Sequence, residues 1–207
     1  MDDLEHRIAR LEAESQIRQL VARYCFTIDD RDLPAVRALF TQDAILDSAD
    51  GVMSASGIDA IMAQYEGRFA VLGPGHHFMH DIQLDFADGM PDQATGRVSG
   101  HAELWRKGRM MVTALRYDDA YRRTAQGWKF ARRTIRFLYY VAVEDYPGIL
   151  GTPLRNRAYD EPRPADFPEA LTSWQAYARA RPGAHPGAAG PGHDPGADPA
   201  GPAAQSL

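Results

Sequence analysis

An α+β fold, with helices laid on one face of a curved sheet, is what this sequence predicts. Two patterns and their order carry the expectation. Between Leu4 and Leu72 apolar side chains recur every three or four positions, the helical period; between His76 and Val143 they alternate with polar ones, the strand period. Helices first and long strands afterwards separate this chain from alternating α/β architectures. No internal repeat is evident.

The elements follow in order. Leu4, Ile8 and Leu11 make one stripe, and Ile17, Leu20, Val21, Tyr24 and Ile28 continue it at helical spacing. Ser15 leaves two readings open, a cap that starts a second helix or one continuous helix. Asp29 falls at the edge of the stripe, while Asp30 points away. Asp32-Leu33-Pro34 is a start signal, an N-cap Asp with Pro in the first turn, and opens a short helix over Ala35–Phe40. Ala44–Asp47 and Val52–Ser54 flank Ala49-Asp50-Gly51 and read as a hairpin. A third helix begins after Ser56, with Ile58, Ile61, Met62, Tyr65, Phe69 and Leu72 on one side. Gly73-Pro74-Gly75 reads as a break before a strand over His76–Phe86, which the turn Asp88–Asp92 ends. Ala94 to Trp105 alternates strictly, Met110–Arg123 follows, and Ala125-Gln126-Gly127 turns into a last strand, Trp128–Val143.

Composition sets the class. A 207-residue chain with 44% hydrophobic and 25% charged residues reads as one soluble domain. We place that domain at 1–160, a weakly helical appendage with Leu171, Trp174 and Tyr177 at 161–181, and a disordered Gly/Ala/Pro tail at 182–207. His185 and His193 fall in the tail and carry little weight. The net charge of −5 is modest, and no basic stripe marks a nucleic-acid partner. The N-terminus lacks the apolar run of a signal peptide, and no stretch reaches the roughly 20 apolar residues that cross a membrane, so a cytoplasmic location is expected. The single cysteine, Cys25, excludes an internal disulfide and lies in an apolar helical pattern, where packing is its expected role.

Chemistry is sought first at His76-His77-Phe78-Met79-His80-Asp81, three imidazoles in five residues. Histidine is the side chain most readily poised for proton transfer near neutral pH. The apolar residues at 82, 84 and 86 are even-numbered, so a regular strand puts His76 and His80 on the core face. His77 faces the core only if it lies in a lead-in or at a bulge. No helical His-Glu-x-x-His, no phosphate loop or dinucleotide fingerprint and no Gly-x-Ser-x-Gly is present, so neither metal nor cofactor is expected.

Three stretches, in this order and spacing, carry a resemblance. They are Ile17-Arg18-Gln19-Leu20 through Tyr24 to Asp29 and Asp32; His77-Phe78 entering a strand; and Tyr117-Asp118-Asp119-Ala120-Tyr121 through Gly127-Trp128-Lys129-Phe130 to Arg136. Over about residues 10–145 the chain resembles the SnoaL-like proteins of the ketosteroid isomerase / nuclear transport factor 2-like superfamily. The resemblance implies a cone-shaped α+β barrel, helices on a strongly curved mixed or antiparallel sheet enclosing a pocket. Its members include scytalone dehydratase, a bile-acid dehydratase and a cofactor-free dehydrochlorinase, in which an Asp ending the first long helix pairs with a His entering the third strand. On this chain the matching residues are Asp29 and His77, with Tyr24, His101 and Arg136 (Arg133 in reserve) at the matching positions of further catalytic groups. His80, Phe78, Trp105 and Tyr139 are the expected substrate-binding residues.

Together these residue types suit proton abstraction from carbon. A carboxylate bonded to one ring nitrogen holds His in one tautomer and stabilises the imidazolium that forms; Tyr or Arg can bind a developing oxyanion. The expected function is a cofactor-independent dehydratase or isomerase acting on a small, largely apolar, ring-containing substrate. A polyketide-type cyclase uses the same proton chemistry. A non-catalytic binding protein and the small subunit of a ring-hydroxylating dioxygenase are the alternatives. Sheet surface left over by the helices predicts a homodimer or homotrimer.

Overall fold

The computed structural model describes residues 2–87 and 89–181. The tail at 182–207, with His185 and His193, lies outside the described residues, as does Asp88 in the turn before the fourth strand. One helix, α1 (Asp2–Asp29), runs through Ser15 without a break. Its packed face begins at Ala13 and continues through Ile17, Leu20, Val21, Tyr24 and Ile28, the i, i+4, i+7 spacing of one helical face. Leu4, Ile8 and Leu11 precede that face and are exposed. After α1, Asp32 accepts the Ala35 N–H at 3.0 Å and Pro34 occupies the first turn, so α2 (Leu33–Ala38) starts where the cap residues place it. The strand β1 (Phe40–Ser48) then pairs antiparallel with the short β2 (Ser54–Ser56). The helix α3 (Ile58–Val71) buries Ile58, Ile61, Met62 and Tyr65 against them.

Four long strands complete the sheet: β3 (Leu72–Asp85), β4 (Gln93–Arg106), β5 (Arg109–Thr124) and β6 (Gly127–Ala142). The order is β2-β1-β6-β5-β4-β3, antiparallel except for the β1–β6 pair. The fold is therefore α+β with a mixed six-stranded sheet. The sheet curves without closing, its edges being β2 and β3. The helices α1 and α3 cover the concave face, and the core lies between.

Gly73-Pro74-Gly75 is not a break but the start of β3. A Cβ at Gly73 would stand 2.7 Å from the Trp105 ring, and one at Gly75 2.6 Å from Leu104, so β4 side chains fill the space that side chains there would need. Proline is tolerated because β3 is an edge strand.

Besides one extra residue at 73–74, where Leu72 pairs with Arg106 but Gly75 with Leu104, three single-residue bulges decide which of the later side chains face inward. In β3, Met79 pairs with Gly100 but Ile82 with Val98, so β3 carries one extra residue at 80–81. In β6, extra residues fall at Ala131 and Leu138. Each bulge reverses the alternation of sides along its strand.

Beyond β6 the chain does not leave the domain at residue 160. Tyr140 pairs with Asn156, and Asn156 with Arg163, while the Asp166 carboxylate accepts the Phe137 N–H at 2.7 Å. Ile149, Arg155, Asn156 and Phe167 are buried, and Arg155 makes two bonds to Glu169, at 2.6 and 2.9 Å. The segment thus supplies β6 with the partner that β1, which pairs with it only as far as Ile135, does not. The last helix among the described residues, α4 (Thr172–Ala180), buries none of its residues.

Candidate active site

The last turn of α1 and the N-terminal half of β3 meet at a carboxylate. Asp29 Oδ1 lies 2.6 Å from His77 Nδ1, and Asp29 Oδ2 accepts the His77 backbone N–H at 2.9 Å. One side chain thereby fixes both the ring and the strand that carries it. Arg31, next along the turn, donates to the carbonyls of Leu72 and Gly73 at 2.5 and 2.8 Å and lies over the Phe69 ring. It ties the start of β3 to the end of α1, so the pair does not depend on its own bonds for alignment. Side-chain exposures of 10% for Asp29 and 13% for His77 keep most water away. His76 reaches Asp29 Oδ2 at 3.1 Å from the outside, but 54% of its side chain is exposed.

The geometry sets the tautomer. Nδ1–H donates to the carboxylate, leaving Nε2 without a protein partner among the described residues and free to act as an acceptor. His77 lines an interior cavity with Tyr24, Ile28, Tyr65, Tyr117 and Leu115. That cavity holds about 30 Å³, room for roughly two waters. Arg68, Leu72, Phe137 and Tyr140 separate it from an outer chamber of about 170 Å³, and these four line both. A ring-sized ligand therefore enters only if those side chains move. Larger concavities, of about 400 and 360 Å³, include a groove among Arg97, Asp118 and Arg132, but neither is lined by His77 or Asp29.

Polar groups surround the inner cavity. The Tyr24 and Tyr65 hydroxyls lie 3.0 Å apart. Burial, followed by the neighbouring Tyr24, pushes the Tyr65 and Tyr117 hydroxyls well above the ordinary phenol value, so both stay protonated. Behind Tyr24 sits Arg133, fully buried, with two bonds to Asp119 at 2.9 and 2.7 Å. The rings of Tyr24, Tyr117 and Phe130 stand 4.0–4.2 Å from its guanidinium carbon. Burial alone would lower the Arg133 pKa; the Asp119 carboxylate outweighs it and holds the guanidinium charged. Cys25 packs as the sequence suggests, its thiol raised to about 11 mainly by burial.

The structure brings together Asp29, His77 and, across the cavity, Tyr24. It places the other expected residues elsewhere, and the bulges of β3 and β6 explain this for His80, Arg136 and Tyr139. Trp128 and Phe130 face inward, so an unbroken β6 would turn Arg136 inward as well; the extra residue at Ala131 turns Arg133 in and Arg136 out. Arg136 instead binds Asp118 at 2.6 Å on the outer face. The second bulge, at Leu138, likewise leaves Tyr139 outside, 5.5 Å from the Tyr146 ring. On β4, Val98, Ala102 and Leu104 face the core, which sends His101 and Trp105 to the outer face. Phe78 stacks on His101 at 4.5 Å, and His80 Nε2 lies 2.7 Å from His101 Nδ1. His101, His80, Phe78, Trp105, Tyr139 and Arg136 thus form no part of the cavity wall. Among the described residues no three of His, Cys, Asp and Glu converge as metal ligands, and no helix is long and apolar enough to cross a membrane.

Arg68 is the cavity residue that sequence reasoning passed over. Its signal was present: Ile61, Tyr65, Arg68 and Leu72 share one helical face, so a charge stood inside an apolar stripe.

Several solved structures share this architecture. A candidate scytalone dehydratase from Novosphingobium aromaticivorans superposes with a TM-score of 0.61 at 22% identity, covering 66% of this chain and 91% of its own. A candidate aromatic ring hydroxylase from the same organism gives 0.59 at 28% identity, covering 65% and 96%. The hexachlorocyclohexane dehydrochlorinase LinA-type3 from Novosphingobium barchaimii gives 0.61 at 18% identity, covering 67% and 95%. A search of curated proteins returned no match. The model of the SnoaL-like domain matches residues 9–134, which span α1 to the middle of β6. With its helices on a mixed, open six-stranded sheet, the chain belongs to the SnoaL-like domain family of the nuclear transport factor 2-like superfamily.

Proposed function

We propose that the protein is a cofactor-independent lyase or isomerase that removes a proton from carbon on a small ring-containing substrate. The observation that carries this reading is the Asp29–His77 pair at 2.6 Å, nearly buried, with His77 on the wall of a cavity lined by aliphatic and aromatic side chains and tyrosine hydroxyls. His77 Nε2 takes the proton. Asp29 holds Nδ1–H toward itself and stabilises the imidazolium, an interaction strengthened by the low local dielectric. The electron pair left on carbon either expels a β-hydroxyl, which takes the proton and leaves as water, or shifts a double bond and recovers the proton at another carbon. Tyr24 and Tyr65, already bonded to each other, offer a hydroxyl hydrogen to an oxygen of the substrate. Polyketide-type cyclisation begins with the same proton transfer.

The test is turnover on a panel of cyclic β-hydroxy ketones and β-hydroxy acids, read as a growing conjugated absorbance or as proton exchange in deuterated water. His77→Ala is expected to lower the rate about a hundred- to ten-thousand-fold, and Asp29→Asn to lower it through the wrong tautomer. Equal rates in His77→Ala and the parent would remove the reading.

The candidate ring hydroxylase at 28% identity supports a second reading, an accessory subunit of an oxygenase. That role predicts stable co-purification with a large metal-bearing chain and no turnover alone. Association as a homodimer or homotrimer belongs to the first reading. The exposed Phe78 and Trp105 on the outer sheet face support it, and light scattering that returned a monomer would exclude it.

A further inference from the structure

The outer chamber differs in chemistry from the inner cavity. Its about 170 Å³ is lined by Arg68 and Arg106, with Met53, Val71, Ala158 and Tyr159 among the remaining wall residues. Among the described residues no Asp or Glu lines either compartment. Most arginines in this fold meet a carboxylate, as in Arg37–Asp59, Arg122–Asp43 and Arg132–Asp47. Arg68 does not: its hydrogen bond among the described residues runs to Met53 Sδ at 3.7 Å, and a thioether is a weak acceptor. Arg106 donates to the Ala158 carbonyl and lies 5.8 Å from the Tyr140 ring centre, again without an ion pair. Arg68 is half-buried, so it is partly desolvated with most of its five N–H donors unspent. The carboxylate whose field reaches Arg106, Asp160, is bonded to Lys107. Two cations without an ion pair of their own on one small, mostly apolar wall attract an anion and bind a planar oxygen pair best.

We propose that Arg68, with Arg106 beside it, binds a carboxylate of the substrate, so that the substrate class is a compact cyclic carboxylic acid. Arg68 lines both compartments, so an acid held there directs its ring through the Leu72, Phe137 and Tyr140 constriction toward His77. The direction of the ring rests on the reading of His77 as the base; the anion site does not.

Matched probes separate charge from shape. Cyclohexanecarboxylate and its amide are titrated into the full chain and followed by calorimetry and backbone amide shifts. The acid is expected to bind about ten- to a hundredfold more tightly, the worth of a hydrogen bond to a charged group, and to weaken with added salt. Arg68→Met should abolish the preference. Arg68→Lys should keep part of it, which guards against a fold defect in the methionine variant. His77→Ala should leave the preference intact, so loss of the base reading and loss of the anion site are told apart. Equal affinities for acid and amide, binding of neither, or a preference that survives Arg68→Met would each overturn the proposal.

Discussion

Asp29 and His77 stand 48 positions apart in the chain, and the resemblance alone named them as partners. Strand parity argued for the opposite orientation of His77, and the bulge at 80–81 resolves the conflict. For the last-strand arginine the resemblance leaves two positions, Arg136 first and Arg133 in reserve, and the reserve is the one that faces inward. Its charge is buried at 0% exposure against Asp119, which also accepts the Tyr121 hydroxyl at 2.8 Å. Removing one member of such a pair leaves a charge with no solvent and half its partners. Arg133→Met is therefore expected to cost about 3–5 kcal/mol in urea unfolding. Pairing it with Asp119→Leu should recover most of that loss, since two apolar groups need no partner. A single substitution within 1 kcal/mol of the parent would show that Tyr121 and the surrounding rings suffice for Asp119 alone.

At the level of elements, helices and strands were legible because burial on one face imposes a period. Their interruptions were not. A bulge adds one residue of no special type (Ala131, Leu138), and the alternation on each side of it stays regular. A period therefore gives the strand but not the face of residues beyond the next bulge, as Arg136 shows. His101 is the other case, on a strand without a bulge whose alternation already turns it outward, and the resemblance alone put it at the site. The β3–β4 pairing turns His80 and His101 outward together, and their contact has a measurable consequence. Partial burial, then the facing His80, lowers the His101 pKa from the ordinary imidazole value. Lowered means that the fold favours the neutral ring. This contribution to stability is present above the ordinary value and is lost as the pH falls through the lowered one. Proton NMR of the ring should give His101 a midpoint below about 6.5, the unperturbed value. His80→Asn should raise that midpoint, and His101→Ala should leave turnover unchanged because the ring is outside the cavity. A midpoint that ignores His80→Asn would break the coupling.

For the whole molecule, the family match ends at residue 134, yet the fold closes only with the chain near residue 169. Residues 146–169 carry no helical or strand period to read, because they are held by single bridges, arginine bonds and isolated buried side chains. That is why the sequence alone puts the domain boundary at 160, inside a hydrogen-bonded segment. The segment has two duties, covering the free edge of β6 and walling the outer chamber through Ala158 and Tyr159. A chain ending at Asp145 keeps every family residue but loses buried Ile149 and Phe167, each worth about 1.5–3 kcal/mol. It also exposes unpaired backbone along β6, an invitation to aggregate. Its thermal midpoint should fall by about ten degrees, while a chain ending at Arg181 keeps the parent midpoint and the acid-over-amide preference. Should the shorter chain melt with the parent, the segment would be an accessory to the chamber and not a part of the fold. Its removal would then change ligand selection alone.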